Sequence, residues 1–194
     1  MIPKLLPADI ILSCSDAWIS KQIRDVGKLA SGSCRVSHAS LALGNLTEKP
    51  ECIESLWKVT RSPISKYENE QIVIWRNKTL SRGKRNEIAL KMVSIERDGY
   101  GLLKLPLFFL DAVFKTYFFT QHFGVSNFKV CSEAIAWAYE KALNKPSYFG
   151  CGWRSVSPDI IDDQCSANVK EWECVYDSIS KKTSNSLVSA ASVK

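Results

Sequence analysis

The chain has 194 residues, of which 45% are hydrophobic and 24% charged, a composition typical of one globular domain and unlike that of a disordered or fibrous protein. No apolar run reaches the roughly 20 residues that a membrane-spanning helix needs, and Pro7 and Asp9 interrupt the N-terminal apolar stretch before a signal-peptide core could form. We therefore expect a cytoplasmic protein. The net charge of +6 is unevenly spread, with an excess of basic residues between Arg76 and Lys104.

In chain order, strand-forming residue types cluster in short segments that are bounded by turn residues. They predict strands over residues 8–12, 36–44, 51–57, 71–76 and 172–176. Ser15 or Asp16 is suited to cap a helix that follows the first strand and runs to about Leu29. The aromatic stretch 105–123 is expected to form a core helix or the wall of an apolar cleft.

A further helix is predicted over residues 81–97, where Ile88, Met92 and Ile95 recur at helical spacing. The basic side chains of residues 82–97 have two interpretations, a solvated helix face or a binding site for an anionic surface such as phospholipid headgroups. No aromatic residues alternate with these basic ones, so we expect no specific nucleic-acid partner.

The order of elements indicates an α+β fold without internal repeats. From residue 178 the chain is rich in Ser, Lys and Ala and lacks periodicity, which is typical of disorder. We therefore predict a single domain over residues 1–177 and a disordered tail over residues 178–194.

Seven cysteines occur without any C-x-x-C pair, so the sequence indicates neither a zinc site nor a thioredoxin-like motif, and we expect no metal or cofactor. One of them, Cys131, opens a predicted helix that ends near Asn144, and it continues an apolar stripe with Ala134, Ile135, Ala138 and Ala142. A buried structural thiol would occupy the same stripe. At a helix start, however, free N–H groups and the helix dipole favour the thiolate, so Cys131 is also a candidate nucleophile.

A thiolate nucleophile needs a base, and the chain offers His38 and His122. His122 lies at the end of the aromatic stretch, where a capping or partly buried role is expected, whereas His38 lies on a predicted strand. If Gly44 pairs with Glu48 in a hairpin, His38 lies directly opposite Glu54, and any even shift of register keeps both on one face. The pair is then either an orienting carboxylate with its base or a solvent-facing cross-strand pair.

Six short motifs carry a resemblance, and they occur in family order from about residue 7 to residue 162. They are ADIIL, SHASLALG, CIESLW, DGYG, KVCSEAIAWAY and SPDIID. The chain resembles the circularly permuted papain-like hydrolases of the NlpC superfamily, specifically the YiiX/YebB-like branch. The resemblance implies a permuted papain-like fold, in which a small antiparallel sheet packs against helices and the His-bearing strand precedes the Cys-bearing helix.

The same resemblance implies roles for individual residues. Cys131 matches the nucleophile, His38 the general base and Glu54 the residue that orients it, while Tyr100 and Ser132 match positions next to the substrate. Two departures occur: Ala8 stands where the family usually has Gly, and Gly101 stands where Asp is common.

We therefore expect a cysteine hydrolase with a Cys-His-Glu triad that cleaves an amide or ester through a thioester acyl-enzyme. The resemblance implies lipid-linked or peptidoglycan-derived substrates, and the aromatic stretch favours lipid. One alternative is an acyltransferase on the same fold, as in the lecithin:retinol acyltransferase branch, although KVCSEA departs from that branch's Asn-Cys-Glu-His motif. The other is a non-catalytic module that binds a polyanion or lipid.

Overall fold

The computed structural model describes residues 2–14, 35–55, 58–96, 110, 114, 116 and 130–180. Several predictions from the sequence lie outside these residues. They concern the helix after Ser15 or Asp16, nearly all of the aromatic stretch 105–123, His122, Tyr100 and Gly101.

The described residues form one antiparallel sheet of six strands in the order β4-β3-β2-β1-β5-β6. The strands are β1 (Ile10–Cys14), β2 (His38–Ala42), β3 (Glu51–Ser55), β4 (Val59–Pro63), β5 (Gln71–Asn77) and β6 (Trp172–Asp177). Five of them correspond to predicted strands. The sequence did not indicate β4, because this edge strand alternates buried and exposed residues and ends in Pro63, so it contains no apolar run.

Three α-helices with described bounds accompany the sheet within the described part of the chain, namely α1 (Arg82–Ser94), α2 (Cys131–Leu143) and α3 (Pro158–Ala167). Ser81 caps α1 by accepting a hydrogen bond from the Lys84 N–H at 3.3 Å, and the helix ends at Ser94 rather than at the predicted residue 97. Asn144 ends α2 in a left-handed conformation with φ of 51°. α3 lies outside the helices that the sequence predicts, although Pro158 occupies its first turn, where the missing N–H costs nothing.

The core lies on both faces of the sheet. On one face, α2 packs against β2, and its predicted stripe from Cys131 to Ala142 is buried. On the other face, Ile11, Cys52 and Ile74 pack with Ile64 and Tyr67 of a single 3-10 turn, Ile64–Tyr67, that follows β4. The residues of β1 alternate between these two faces, which is why both Ile10 and Ile11 are buried.

The first three residues of the predicted tail pack against the sheet. Ser178 donates its backbone N–H to the Ile72 carbonyl at 2.9 Å, and Ile179 is buried. Ser180 donates its hydroxyl to Asp177 at 2.7 Å. The remainder of the predicted tail, residues 181–194, lies outside the described residues.

No helix within the described ranges combines the length and the apolar character that crossing a bilayer requires.

Candidate active site

The pairing of β2 with β3 brings His38 and Glu54 together, although not in the predicted register. Ser40, rather than His38, lies opposite Glu54, and Ala42 pairs with Cys52. The prediction of a three-residue turn was wrong because a 3-10 turn, Gly44–Leu46, lengthens the connection. The shift is two residues, so His38 and Glu54 stay on one face as diagonal neighbours. His38 Nε2 lies 2.7 Å from Glu54 Oε2, and the Glu54 carboxylate has no solvent exposure.

Cys131 is the first residue of α2, directly after Val130 in extended conformation. Glu133 closes this first turn on itself, since its Oε2 accepts a hydrogen bond from the Val130 N–H at 3.1 Å. The Cys131 side chain is 4% exposed and is a hydrogen-bonding partner of the His38 imidazole. Because Glu54 occupies Nε2, Nδ1 is the ring nitrogen that remains for the sulfur. The backbone N–H groups of Ala39 and Ser132 also donate to Cys131 Sγ.

These contacts favour a charged pair of thiolate and imidazolium. Burial alone would raise the pKa of Cys131, but the charge and hydrogen bond of His38, with the two backbone N–H groups, lower it below its ordinary value. Burial alone would lower the pKa of His38, but Cys131 and Glu54 raise it to about 9. At neutral pH both shifts act in the same direction, towards a proton on His38 and a negative charge on Cys131.

Four other cysteines in the described ranges, of which Cys52 and Cys165 are buried and Cys174 is exposed, have pKa values shifted towards the neutral thiol. Burial raises the pKa of Cys52 and of Cys151 to about 11, and it raises the pKa of Cys165 and of Cys174 as well. Among the described cysteines with a shifted pKa, Cys131 alone is shifted towards the thiolate. This contrast separates Cys131 from the packing role that a structural thiol would have.

Sequence reasoning missed Lys66, which completes the surroundings of Glu54. Its ammonium donates to Glu54 Oε1, the oxygen that His38 leaves free, and it sits 4.7 Å from the centroid of the Tyr67 ring. Burial alone would raise the pKa of Glu54, but the hydrogen bonds and charge of His38, with Lys66, lower it to about 2. Nothing in the motif ISKY signals this contact, because it depends on how the turn after β4 folds back over β3.

Ser132, which the resemblance placed next to the substrate, has its side chain inside the fold. The Ser132 hydroxyl is buried and donates to the Val156 carbonyl at 2.7 Å, which ties the first turn of α2 to the chain that precedes α3. The contribution of Ser132 to the site is therefore its backbone N–H. Tyr100, the second predicted substrate neighbour, lies outside the described residues.

A second ion network holds the start of β2. Arg35 binds both oxygens of Asp162 on α3, at 2.5 and 3.0 Å, and also contacts Asp177 at 2.9 Å. The indole N–H of Trp75 donates to Asp162 at 2.7 Å. Because Arg35 stands three residues before His38, this network fixes the backbone from which the imidazole projects.

Comparison with known proteins supports the fold. No family model matches the chain, and no curated protein matches it. Among solved structures, the chain is similar to the crystal structure of metalloprotein yiiX from Escherichia coli O157:H7, DUF1105, with 21% identity and a TM-score of 0.53. The match covers 73% of this chain and 68% of that one. The protein therefore has a YiiX-like α+β fold, and at this identity the likeness extends to the fold alone.

Proposed function

We propose that the protein is a cysteine-dependent hydrolase that cleaves an amide or ester bond, with Cys131 as nucleophile, His38 as acid and base, and Glu54 as the residue that orients His38. The observation that carries this proposal is the buried contact of Cys131 with His38, in which the thiol pKa is lowered while those of Cys52, Cys151, Cys165 and Cys174 are raised. A packing cysteine needs no such partner.

In the proposed reaction, Cys131 Sγ attacks the substrate carbonyl carbon as a thiolate, and the carbonyl oxygen takes up the negative charge. The Cys131 N–H stabilises this oxyanion, because the N–H groups of a first helical turn have no acceptor within the helix. His38 then gives its Nδ1 proton to the leaving nitrogen or oxygen, which leaves a thioester on Cys131. Water, deprotonated by His38, attacks the thioester and releases the acid and the thiolate.

We assign the fold to the permuted papain-like class of the NlpC superfamily on the order of these residues along the chain. His38 opens β2 and Glu54 lies on the adjacent β3, and both precede the helix that begins at Cys131. This is the order that the sequence motifs implied, and the YiiX-like fold is compatible with it.

A metal-dependent reaction is not part of the proposal, although the similar Escherichia coli protein is described as a metalloprotein. Across residues 2–14, 35–55, 58–96 and 130–180, no three His, Cys, Asp or Glu side chains converge as a metal site would need. Both oxygens of Glu54 are also engaged, by His38 and Lys66. The residues of this site therefore do not fit a resident metal.

For the substrate, we favour a lipid-linked acyl compound over a peptidoglycan-derived peptide, with α1 contributing contact to an anionic surface. Part of the predicted basic helix cannot take that role, because Arg85 is buried against Asp9 and Lys84 pairs with Glu87 at 2.8 Å. Arg82 and Lys91 remain exposed on α1, together with Leu90. A basic and apolar exterior of this kind suits phospholipid headgroups.

The test begins with the thiol and then moves to substrates. Iodoacetamide alkylation, followed by peptide mass spectrometry across pH, should modify Cys131 well below the pH at which Cys174 reacts, and His38→Ala should remove that advantage. Turnover is then measured on panels of N-acyl amino-acid amides, lipid esters and cell-wall peptides. We expect Cys131→Ala to lose at least about 1,000-fold in turnover, while Cys174→Ser, at an exposed site, keeps it.

Full turnover in Cys131→Ala would sink the mechanism. A Cys131 thiol that reacts like Cys174 in both proteins would favour the non-catalytic binding module instead. Analysis of the products in the presence of an alternative acceptor, such as a lysophospholipid or an amine, separates hydrolysis from acyl transfer.

A further inference from the structure

Glu54 Oε1, the outer oxygen of the carboxylate, makes a contact that the proposed triad does not use. Glu54 is fully buried, yet it meets two cationic side chains, with His38 Nε2 at Oε2 and Lys66 Nζ at Oε1. Lys66 reaches this position from the turn Ile64–Tyr67, and its side chain remains 28% exposed. The four side chains Cys131, His38, Glu54 and Lys66 thus form a chain of alternating negative and positive charge.

We propose that Lys66 is a positioning residue of this site, which neutralises the outer oxygen of Glu54 and thereby limits how tightly Glu54 holds the proton on His38. The consequence for turnover rests on the proposed function. The effect of Lys66 on the pKa of His38 does not rest on the proposed function, because it requires only the contacts that Glu54 makes with Lys66 and with His38.

The physical reason is that an unpaired carboxylate would make His38 a poor acid. A buried anion next to an imidazolium stabilises the charged ring strongly, and its effect grows as the surroundings exclude water. His38 must nevertheless release its proton to the leaving group in each cycle. When Lys66 pairs with Glu54, the two together act on His38 more like a dipole than a full charge, as a neutral amide would. The hydrogen bond that orients the ring is kept.

Among the described residues, the other groups around Glu54 are neutral, so they do not neutralise its charge as Lys66 does. On β2 and the turn, Ser40 and Tyr67 are neutral and bond to each other, with the Tyr67 hydroxyl donating to Ser40 Oγ at 2.8 Å. Cys52 on β3 has its pKa raised to about 11 by burial and by Glu54, so it too is neutral at pH 7. Ser62 on β4 donates to Glu54 without carrying charge. Within the part of the chain that the structure describes, the charged or titratable groups that act most strongly on His38 are Cys131 and Glu54.

The experiment measures the His38 pKa directly, by NMR titration of the imidazole carbon-bound protons. The chain has two histidines, so the His38→Ala spectrum assigns the signals. The variants are Lys66→Met, Lys66→Arg, Glu54→Gln and the double variant Glu54→Gln with Lys66→Met. Lys58→Met is the matched control. Lys58 is exposed just before β4, so this substitution removes the same charge, while the lysine that pairs with Glu54 is Lys66.

We expect Lys66→Met to raise the measured pKa of His38 by roughly one pH unit, and Lys66→Arg to restore it to near the wild-type value. Glu54→Gln should lower it, because the ring then faces Lys66 without an intervening anion. The His38 pKa of the double variant should lie between those of Glu54→Gln and Lys66→Met. The alkaline limb of the Cys131 alkylation profile, measured with iodoacetamide, should move in the same directions.

A His38 pKa in Lys66→Met equal to that in Lys58→Met overturns the proposal. If Lys66→Met fails to fold, Lys66→Gln replaces it, because the amide can still donate to Glu54 Oε1 without the charge. A His38 pKa in Lys66→Gln equal to that in Lys58→Met then overturns the proposal. The expected pKa pattern combined with full turnover in Cys131→Ala would refute the proposed function while leaving the role of Lys66 on His38 intact.

Discussion

Two buried carboxylates in this protein have nearly the same surroundings and different chemistry. Asp9 and Glu54 are both fully buried, and each meets two cationic side chains. For Asp9 the partners are Arg76, whose Nη2 lies 2.6 Å from Oδ2, and Arg85, at 3.4 Å from Oδ1. For Glu54 they are His38 and Lys66. The first pair of cations stays charged at every accessible pH, whereas His38 can lose its proton.

One feature distinguishes the reactive polar cluster around Glu54 from the structural cluster around Asp9. Burial and ion pairing are common to both carboxylates, so neither marks a site. What Glu54 has in addition is a titratable partner whose second ring nitrogen meets a thiol at a helix start. Asp9 instead accepts the Leu6 N–H at 2.8 Å and joins the N-terminal segment to β5 and α1, which is a structural function.

Replacing Asp9 should destabilise the fold and leave the reactivity of Cys131 unchanged. Asp9→Asn removes the charge that two largely buried guanidinium groups share, so we expect the free energy of unfolding to fall by about 3–5 kcal/mol. Urea denaturation measures this loss. Glu96→Gln is the control, because its ion pair with Arg61 is partly exposed on both sides and should contribute less than about 1 kcal/mol. The folded fraction of Asp9→Asn should keep the pH dependence of Cys131 alkylation, and loss of that dependence would mean that the two clusters are coupled.

Replacing His38 tests whether the imidazole activates the Cys131 thiol. In His38→Asn the Cys131 thiol loses the imidazolium, while burial still opposes its charge, so its pKa should rise above the ordinary value. We expect the alkylation rate at pH 6.5 to fall by roughly 10-fold to 100-fold, with the gap to wild type closing as pH rises. The measurement is the iodoacetamide rate at Cys131 between pH 5 and 10. Equal rates in the two proteins at pH 6.5 would place Cys131 with the structural thiols.

The sequence predicted the parts of this arrangement that follow from local periodicity. Strand alternation placed His38 on one face of β2, and helical spacing placed Cys131 in the buried stripe of α2. The register was wrong by two residues because the length of the β2–β3 connection depends on the turn Gly44–Leu46, in which Gly44 approaches Pro7 so closely that an added Cβ would lie 2.4 Å from the ring. The prediction that His38 and Glu54 lie on one face of the sheet still holds, because a shift by an even number of residues keeps each side chain on its face.

Contacts between distant segments were beyond local patterns. Lys66 reaches Glu54 because a turn after an edge strand folds back, and neither that strand nor that turn has a periodic signal. Arg85 belongs to the predicted basic helix face, but it points inward because Asp9, 76 residues away, provides its counter-charge. In both cases a basic side chain turns towards the protein interior because a buried carboxylate lies nearby. Only the tertiary fold brings that carboxylate close.

A smaller effect is expected when the carboxylate charge of Glu54 is removed but its shape is kept. Glu54→Gln still accepts the His38 hydrogen bond but no longer stabilises the imidazolium, so kcat should fall by about 10-fold with KM little changed. Steady-state kinetics on a substrate identified by the panel measure this split. An unchanged kcat would remove Glu54 from the site and make it, like Asp9, a structural anion.

The same substitution has a pH signature in stability. The folded-state pKa of Glu54, about 2, lies below the ordinary value of 4.5, so its ionised form stabilises the fold above about pH 4.5, and this contribution is lost as pH falls towards 2. The stability of Glu54→Gln, measured by urea denaturation, should therefore approach that of wild type as pH falls from 5 to 2. A constant difference across that range would contradict the assigned ion pairs.

The smallest effect concerns the backbone that places Asp9. Ala8 adopts φ of 64°, a left-handed conformation that a β-carbon disfavours, and its carbonyl accepts the Tyr139 hydroxyl at 2.7 Å. The motif that carries the resemblance usually has Gly here, where this conformation is free of strain. Ala8→Gly relieves that strain but adds freedom to the unfolded chain, so we expect a net gain of about 0.5 kcal/mol in the free energy of unfolding, measured by urea denaturation. Ala89→Gly in the helical interior of α1 should instead lower stability by about 1 kcal/mol or more, and a loss of the same size in Ala8→Gly would show that the left-handed backbone carries no strain.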